Sequence, residues 1–176
     1  HVKYISAFAL SKNNLKRSST IISTLKNVLK FFIDNYSNNL EYNFQIIFKG
    51  DKSFLSSYLL NNINRLESIN KDSKKKLLIY MNYSGQDDVI NSFKKIYSSK
   101  IKFNKKNFLR NLITKNIPNP DLLIRTGGYQ RISDFMLYQL SFTELIFTKI
   151  LWPDLTNKSI DKFILSFNKT ERKFGI

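Results

Sequence analysis

Apolar residues along the chain recur with two spacings, which together predict strands that alternate with helices. Residues 2–10 form a short apolar run that ends at Ser11, which is typical of a buried strand. Between residues 20 and 36, apolar side chains return every three or four positions, which predicts an amphipathic helix. Three further strands are predicted at residues 44–48, 77–81 and 122–125.

Five more helices are predicted between and after these strands. They cover residues 53–66, 87–97, 108–114, 133–142 and 159–169, and Pro118 and Pro120 end the third of them. Since strands alternate with helices, we expect an α/β fold with a mainly parallel central sheet and helices on both faces. One domain of residues 1–176 is expected. Because a buried strand needs neighbours on both sides, the apolar run at the first residues suggests an N-terminally incomplete domain.

Charge and residue types limit the chemistry that the chain can perform. It has 29 Lys and Arg against 13 Asp and Glu, a net charge of +16, so we expect an anionic partner. Nucleic acid, a phosphorylated small molecule and an acidic membrane surface all fit, and a compositional bias toward Lys and Asn produces the same excess without binding. The chain has no cysteine, and His1 is its single histidine. Disulfides, thiolate metal sites and Ser-His catalysis are therefore excluded for this sequence.

Two further patterns bear on location and on nucleic-acid binding. No apolar run approaches the roughly 18 residues of a membrane span, and no signal peptide is recognisable. We expect a cytoplasmic protein, with membrane association or an organelle as alternatives. The basic run at residues 100–106 resembles a nucleic-acid patch, but it lacks an interleaved order of stacking residues. A solvated loop is the favoured interpretation.

Polar side chains that follow the predicted strands form the candidate site, because ligands bind beyond the carboxyl ends of such strands. They are Ser11, Asn14 and Arg17 after the first strand, Asn82 after the third, and Arg125, Gly127, Gly128, Arg131 and Ser133 after the fourth. The last group suits a diphosphate, since guanidinium groups grip phosphate oxygens and a helix predicted from Ser133 would add free N–H groups. The alternative is that the arginines pair with Asp134 or Glu144 and that the glycines form a simple turn.

Glu144 stands between Phe142 and an apolar run, where a carboxylate is costly to bury without a partner. Magnesium would suit it, because this ion uses one or two carboxylates together with phosphate oxygens and water. A salt bridge to Arg125 or Arg131 would serve equally well. Both interpretations remain open from the residues alone.

A long ordered set of residues resembles the signature of a known family. It comprises Pro120, Asp121, Leu122, Leu123, Ile124, Arg125, Thr126, Gly127, Gly128, Arg131, Ile132, Ser133, Asp134, Phe135, Gln139, Glu144, Leu145, Phe147, Thr148, Leu151, Trp152, Pro153 and Asp154. This set resembles the cis-prenyltransferases of the undecaprenyl diphosphate synthase type. Weaker similarities lie at Phe8 to Ser11 with Asn14 and Arg17, at Asn82 to Gly85, and at Glu171 to Gly175.

The resemblance implies a condensation of isopentenyl diphosphate onto an allylic diphosphate such as farnesyl diphosphate, with Mg²⁺ as cofactor. It implies that Arg125, Arg131 and Ser133 hold the diphosphate together with Gly127 and Gly128, that Glu144 binds Mg²⁺, that Ser11 and Asn14 lie near the reacting atoms, and that Arg17 and Asn82 contact substrate. It also implies a homodimer in which Lys173 and Gly175 reach substrate across the interface. Membrane contact would arise through the lipid product.

The sequence also departs from the family pattern. The N-terminal block Asp-Gly-Asn-Gly-Arg-Trp, whose aspartate is the principal Mg²⁺ ligand, does not occur in the 176 residues. Other departures are Asn13, Leu15, Ser84, Gln86, Tyr129 and Lys173, which replace Glu, Trp, Gly, Arg, Glu and Arg. The alternatives to an elongating enzyme are therefore a non-catalytic subunit of a heteromeric cis-prenyltransferase and a basic nucleic-acid-binding protein.

Overall fold

The chain forms two compact units, His1–Lys115 and Asn116–Ile176. The structure is a computed structural model that describes residues 2–15, 19–38 and 43–172. Each unit contains its own set of parallel strands. The expectation of a single domain stays a prediction.

The first unit is built on a parallel sheet with strand order β1-β3-β2. Its elements are β1 (Tyr4–Phe8), α1 (Lys12–Leu15), α2 (Ser19–Asn38), β2 (Gln45–Lys49), α3 (Ser57–Ser68), β3 (Lys76–Tyr80), α4 (Gly85–Ser98) and α5 (Lys105–Asn111). The central strand aligns Tyr80 with Phe8 of β1 and with Lys49 of β2. All three strands therefore end at the same edge of the sheet.

The apolar faces of α2 and α3 pack on one face of this sheet. The buried cluster contains Leu10, Leu29, Ile33, Tyr36, Ile46, Phe48, Leu55, Leu59, Ile63, Leu66 and Met81. Successive side chains of a strand point to opposite faces. On β3, Leu77 and Ile79 pack against this cluster, whereas Leu78 and Tyr80 are completely buried on the other face. The central strand is therefore covered on both faces. The expectation that the first strand is buried between two neighbours is wrong for the described residues, because β1 is at an edge of this sheet and its Ile5 is 58% exposed.

Short polar side chains set the starts of three helices in the first unit. Ser56, Ser84 and Asn104 accept hydrogen bonds from backbone N–H groups in the first turns of α3, α4 and α5. These caps place α3 four residues later than predicted and α4 two residues earlier. The helix predicted at residues 108–114 instead spans Lys105–Asn111, because Asn104 caps it.

The second unit pairs β4 (Leu122–Arg125) with β5 (Glu144–Phe147) in parallel and ends in α6 (Asn157–Asn168). The bounds of β4 are those predicted, whereas β5 was not anticipated. The predicted helix at residues 133–142 is wrong, because these residues form turns in which Ser133, Asp134 and Met136 have positive φ angles of 51°, 64° and 47°. A short 3₁₀ helix, Trp152–Asp154, precedes α6.

Candidate functional site

Ser11 and Asn14 lie together just beyond the end of β1. The backbone of Ser11 pairs with Tyr83, and the N–H of Lys12 donates to the Tyr83 carbonyl at 3.0 Å, which ties this segment to the loop after β3. The hydroxyl of Ser11 accepts a hydrogen bond from the Asn14 N–H at 3.2 Å. Both side chains are half-buried. The two residues predicted near the reacting atoms are therefore neighbours at the carboxyl edge of the sheet.

Asn82 joins the same edge from the loop after β3. It has a positive φ of 47°, a conformation that Asn adopts more readily than most residues. Its side-chain amide donates to the carbonyl of Asp51 at 3.2 Å, and the Asp51 N–H returns a bond to the Asn82 carbonyl at 3.4 Å. Asn82 therefore links the loops after β2 and β3.

Asp51 and Lys12 add charges to this edge that were not predicted as site residues. The pKa of the Asp51 carboxyl lies below its usual range, mainly because the backbone N–H of Ser53 donates to it at 2.9 Å. Lys12 forms an exposed ion pair with Asp87, which raises the pKa of its ammonium group. The signal available in the sequence was that Asp51 lies three residues after the strand predicted at residues 44–48.

Gly50 allows the loops after β2 and β3 to approach closely. Its φ is +109°, and a Cβ atom at this position would overlap the carbonyl oxygen of Met81. Only glycine fits this close approach without a shift of the backbone. The loop between β2 and α3 therefore has a steric reason for glycine at this position.

The buried carboxylate of Asp88 anchors the loop after β3 through a hydrogen bond with Tyr83. It accepts hydrogen bonds from the Ile113 N–H at 2.7 Å and from the Tyr83 hydroxyl at 3.2 Å. Tyr83 packs edge-on against Tyr80, whose pKa is raised chiefly by burial. Asp88 thus connects α4, the segment after α5 and the Asn82-Tyr83 turn.

In the second unit, Arg125 ends β4 and leads into an open glycine turn. The N–H groups of Gly127 and Gly128 donate to the carbonyls of Ile150 and Thr148 at 2.9 and 2.8 Å. Both glycines have positive φ, at +82° and +81°. A Cβ at Gly127 would meet nothing within 4 Å. The turn needs glycine for its conformation, and the space above Gly127 remains open to a ligand.

Arg125 and Arg131 do not form the ion pairs that were the alternative to ligand binding. Within residues 116–172, no ion pair joins Arg125 or Arg131 to Asp134 or Glu144. The Nε atom of Arg125 is buried and has no hydrogen-bond partner in the described part of the chain. The guanidinium of Arg131 instead lies 4.2 Å from the centroid of the Tyr129 ring. The buried Nε donor of Arg125 is costly to leave without a partner unless a ligand satisfies it.

Ser133 occupies a turn rather than the start of a helix. Its positive φ places it in the left-handed region, and the residues that follow it are also turns. The expectation that a helix N-terminus contributes free N–H groups here is therefore wrong. The expectation of an anion site at this segment therefore rests on Arg125, Arg131, the glycine turn and the Ser133 hydroxyl.

Glu144 lies at the opposite end of the short sheet from Arg125. It begins β5 and is aligned with Leu122, whereas Arg125 is aligned with Phe147. At the rise of a strand, about 10 Å of backbone separates these two ends. The half-buried Glu144 forms no ion pair among the residues that the structure describes, and the neighbouring Asp121 carboxylate pairs with Arg172 at 2.6 Å.

The acids of this region fit a magnesium ion only in part. Residues 2–15, 19–38 and 43–172 contain no group of three or more acids or histidines arranged to hold a metal. Glu144 can supply one carboxylate, which suits an ion held mainly by substrate phosphate oxygens.

Three predicted site residues, Arg17, Lys173 and Gly175, lie outside the described residues. In the described part of the chain, no helix is long and apolar enough to cross a membrane.

The sequence matches one protein family along nearly its whole length. The profile of the undecaprenyl diphosphate synthase family matches residues 1–175. An isoprenyl transferase from Fusobacterium nucleatum is 36% identical over 180 residues, which cover 99% of this chain and 76% of that protein. A tritrans,polycis-undecaprenyl-diphosphate synthase from Pyrobaculum aerophilum, specific for geranylgeranyl diphosphate, is 32% identical and covers 99% of this chain and 77% of that protein.

A solved structure agrees with these sequence matches. Lavandulyl diphosphate synthase from Lavandula x intermedia, solved with dimethylallyl diphosphate, superposes with a TM-score of 0.91 at 30% identity, over 99% of this chain and 79% of that chain. The parallel α/β fold and the match over residues 1–175 define a prenyltransferase. The chain belongs to the undecaprenyl diphosphate synthase family, whose members are enzymes that elongate prenyl chains in cis geometry.

Proposed function

We propose that this protein condenses isopentenyl diphosphate onto an allylic diphosphate of the farnesyl type and releases a cis-polyprenyl diphosphate. The observation that carries the proposal is the buried, unpartnered Nε of Arg125 at the end of β4, next to the open turn of Gly127 and Gly128. A diphosphate oxygen would satisfy this donor. The family membership supports the same class of ligand.

The diphosphate of isopentenyl diphosphate would be held by Arg125, Arg131 and Ser133. Two guanidinium groups offer parallel charge-assisted hydrogen bonds to phosphate oxygens, which a single lysine cannot reproduce. The glycine turn exposes backbone without Cβ atoms, so the ligand can lie close to the chain. These residues would fix the acceptor while its double bond remains free to react.

The reaction joins the two substrates through one new carbon–carbon bond. The carbon–oxygen bond of the allylic diphosphate breaks, the double bond of isopentenyl diphosphate attacks the allylic carbon, and a proton is lost to form the new cis double bond. Ser11, Asn14 and Asn82 at the carboxyl edge of the first sheet are the proposed contacts near the reacting atoms, with Arg17 as a further substrate contact. Polar groups placed where charge develops lower the barrier of such a step.

Magnesium would supply charge neutralisation for the departing diphosphate, with Glu144 as the ligand from this chain. A homodimer is also proposed, in which Lys173 and Gly175 contact the substrate of the partner. A cytoplasmic location with membrane contact through the lipid product fits a substrate that is water-soluble and a product that is not.

Incorporation of labelled isopentenyl diphosphate tests the site assignment. Arg131→Ala should reduce incorporation at least about a hundredfold, since a charge-assisted bidentate contact is lost. Arg65→Ala, which removes an exposed arginine at the end of α3, is the matched control and should retain activity. Equal activity of both variants would overturn the assignment of Arg131.

A further inference from the structure

Lys149 follows β5 at the edge of the second unit where the glycine turn lies. Arg125 and Phe147 are aligned as the last residues of β4 and β5, and Lys149 comes two residues after Phe147. The two parallel strands therefore end together, and the residues that follow them share one edge of the short sheet. Because ligands bind beyond the carboxyl ends of parallel strands, Lys149 occupies an edge where a ligand is expected.

Backbone hydrogen bonds hold the segment of Lys149 against the glycine turn. The N–H of Gly128 donates to the Thr148 carbonyl at 2.8 Å, and the N–H of Gly127 donates to the Ile150 carbonyl at 2.9 Å. These two bonds flank Lys149 along the chain. Its backbone is therefore fixed beside the turn by groups that do not include its side chain, so the side chain can be replaced without removing them.

The side chain of Lys149 also lies along the turn. A Cβ atom at Gly128 would be 3.8 Å from the Cγ of Lys149, whereas a Cβ at Gly127 would meet nothing within 4 Å. The lysine stem thus covers the Gly128 side of the turn and leaves the Gly127 side open. Because the rest of the stem is flexible, the ammonium group can turn toward this open space.

The cations at this edge have no acidic residue beside them in the sequence. Residues 122–133 contain Arg125 and Arg131, residues 145–153 contain Lys149, and neither segment has an Asp or Glu. Lys149 is exposed and forms no ion pair among the residues that the structure describes. The charge of Lys149 is therefore available to a ligand, as are those of the two arginines.

We propose that Lys149 is a further substrate-binding residue, which contacts the diphosphate of isopentenyl diphosphate together with Arg125 and Arg131. The inference rests on the proposed function of these two arginines and extends it to a third cation. A fully ionised diphosphate ester carries more negative charge than two guanidinium groups neutralise. A lysine ammonium is a compact charge on a flexible stem, so it can contact phosphate oxygens that the planar guanidinium groups leave free.

A solvated lysine without a ligand is the alternative role for Lys149, since most lysines are exposed on protein surfaces. Lys162 represents that alternative within the same unit. It is exposed in α6, which contributes no backbone hydrogen bond to the N–H groups of Gly127 and Gly128. Comparing Lys149 with Lys162 therefore separates a cation at the glycine turn from a cation elsewhere on the surface.

Calorimetric titration with isopentenyl diphosphate and Mg²⁺ tests the inference on the full protein. Lys149→Met removes the charge and keeps an unbranched apolar stem, whereas Lys149→Arg keeps the charge. Lys162→Met is the matched control, since it removes an exposed charge from the same unit. Arg131→Ala shows whether the diphosphate site itself is present. Far-UV circular dichroism confirms that each variant is folded.

Lys149→Met should bind isopentenyl diphosphate about tenfold more weakly, because one charge-assisted contact is lost. Lys149→Arg should bind within about threefold of the parent, and Lys162→Met should bind like the parent. The difference between the parent and Lys149→Met should shrink at high ionic strength, since salt screens an exposed ammonium group. In steady-state kinetics, Lys149→Met should raise the KM for isopentenyl diphosphate and leave kcat unchanged, as the loss of a binding contact does.

Equal binding by the parent and Lys149→Met, with Arg131→Ala impaired, would overturn the role of Lys149 and leave the diphosphate site intact. Equal losses in Lys149→Met and Lys162→Met would also overturn it, because a general loss of positive charge would then explain the effect. If the parent binds no isopentenyl diphosphate, or if Arg131→Ala binds it as well as the parent does, the proposed diphosphate site fails and this inference fails with it.

Discussion

The guanidinium group of Arg131 lies over the ring of Tyr129, 4.2 Å from its centroid. Where the family pattern has a glutamate, this chain has Tyr129, whose ring makes a cation–π contact with Arg131. Such a contact orients a guanidinium without neutralising its charge. The Tyr129 ring therefore orients the guanidinium of Arg131 and leaves its N–H groups available to the proposed diphosphate.

This contact predicts how substitutions at Tyr129 affect the binding of isopentenyl diphosphate. Tyr129→Ala should raise the KM for isopentenyl diphosphate about two- to tenfold, because Arg131 loses the ring that orients it. Tyr129→Phe preserves the ring and should behave like the parent protein. Steady-state kinetics with the allylic substrate at saturation makes the measurement. A Phe variant as impaired as the Ala variant would argue that the hydroxyl, and not the ring, is the important group.

Gly50 and Gly127 have similar positive φ angles but different surroundings, which predicts different effects of alanine. Gly50→Ala should lower the free energy of unfolding by more than about 3 kcal/mol, because the new Cβ overlaps the Met81 carbonyl as well as straining the backbone. Gly127→Ala should cost only about 1–2 kcal/mol, since its Cβ meets open space.

Urea unfolding of the two glycine variants measures this difference. Gly127→Ala should in addition raise the KM for isopentenyl diphosphate, because the methyl group enters the space proposed for the ligand. If Gly127→Ala binds substrate normally, the open space above the turn is not part of the binding site. Equal losses of stability in both variants would contradict the steric account of Gly50.

The buried hydrogen bonds of Asp88 predict a large loss of stability when its carboxylate is removed. Asp88→Ala should lower the free energy of unfolding by about 2–4 kcal/mol, since the Ile113 N–H and the Tyr83 hydroxyl both lose an acceptor. Asp87→Ala, at the adjacent position, removes only an exposed ion pair with Lys12 and should cost less than about 1 kcal/mol. Denaturant titration measures the free energy of unfolding of both variants. Similar values would mean that the Asp88 bonds contribute little.

Asp51 predicts a pH-dependent contribution to stability. The pKa of Asp51 is lowered in the folded protein, chiefly by the Ser53 N–H. The ionised carboxylate therefore adds to the free energy of unfolding above the pKa of the unfolded chain. This added stability is lost as the pH falls through the pKa of the folded protein. Asp51→Asn should therefore be less stable than the parent at neutral pH, by no more than about 1 kcal/mol because the group is exposed. The difference should shrink below about pH 4. Urea unfolding across this range makes the comparison, and a difference that grows toward acid would contradict it.

Most strands could be predicted because short apolar runs bounded by polar residues have few other interpretations. β4 has the predicted bounds, and the strand predicted at residues 77–81 differs from β3 by one residue at each end. Helix starts were less accurate because they depend on which polar residue caps them. Ser56, Ser84 and Asn104 make these bonds, and neighbouring polar residues were equally plausible from sequence.

The segment after Ser133 shows why periodicity alone was insufficient. Phe135, Met136 and Gln139 are buried at three- to four-residue spacing, as a helix face would be. A compact series of turns buries the same positions, and the positive φ of Ser133, Asp134 and Met136 belongs to turns. The missed strand β5 has a related cause, because an isolated run of three apolar residues after Glu144 carries no alternation.

The sequence predicted which residues form the candidate site better than it predicted how their side chains contact one another. Ser11, Asn14 and Asn82 meet at one edge because parallel strands share a carboxyl end, which the sequence indicated. The contact of Arg131 with Tyr129 and the bond of Asn82 to Asp51 depend on turn geometry that periodicity does not encode. Glu144 begins β5, and its alignment with Leu122 required the register of the strands.

An assay of product formation tests the central claim most directly. The protein, expressed from its complete reading frame, is incubated with radiolabelled isopentenyl diphosphate, farnesyl diphosphate and Mg²⁺, and the products are separated by chain length. The account predicts labelled polyprenyl products that disappear when a chelator removes the metal and when Arg131 is changed to alanine. Binding of isopentenyl diphosphate without any product would contradict it and would favour a non-catalytic subunit of a heteromeric enzyme.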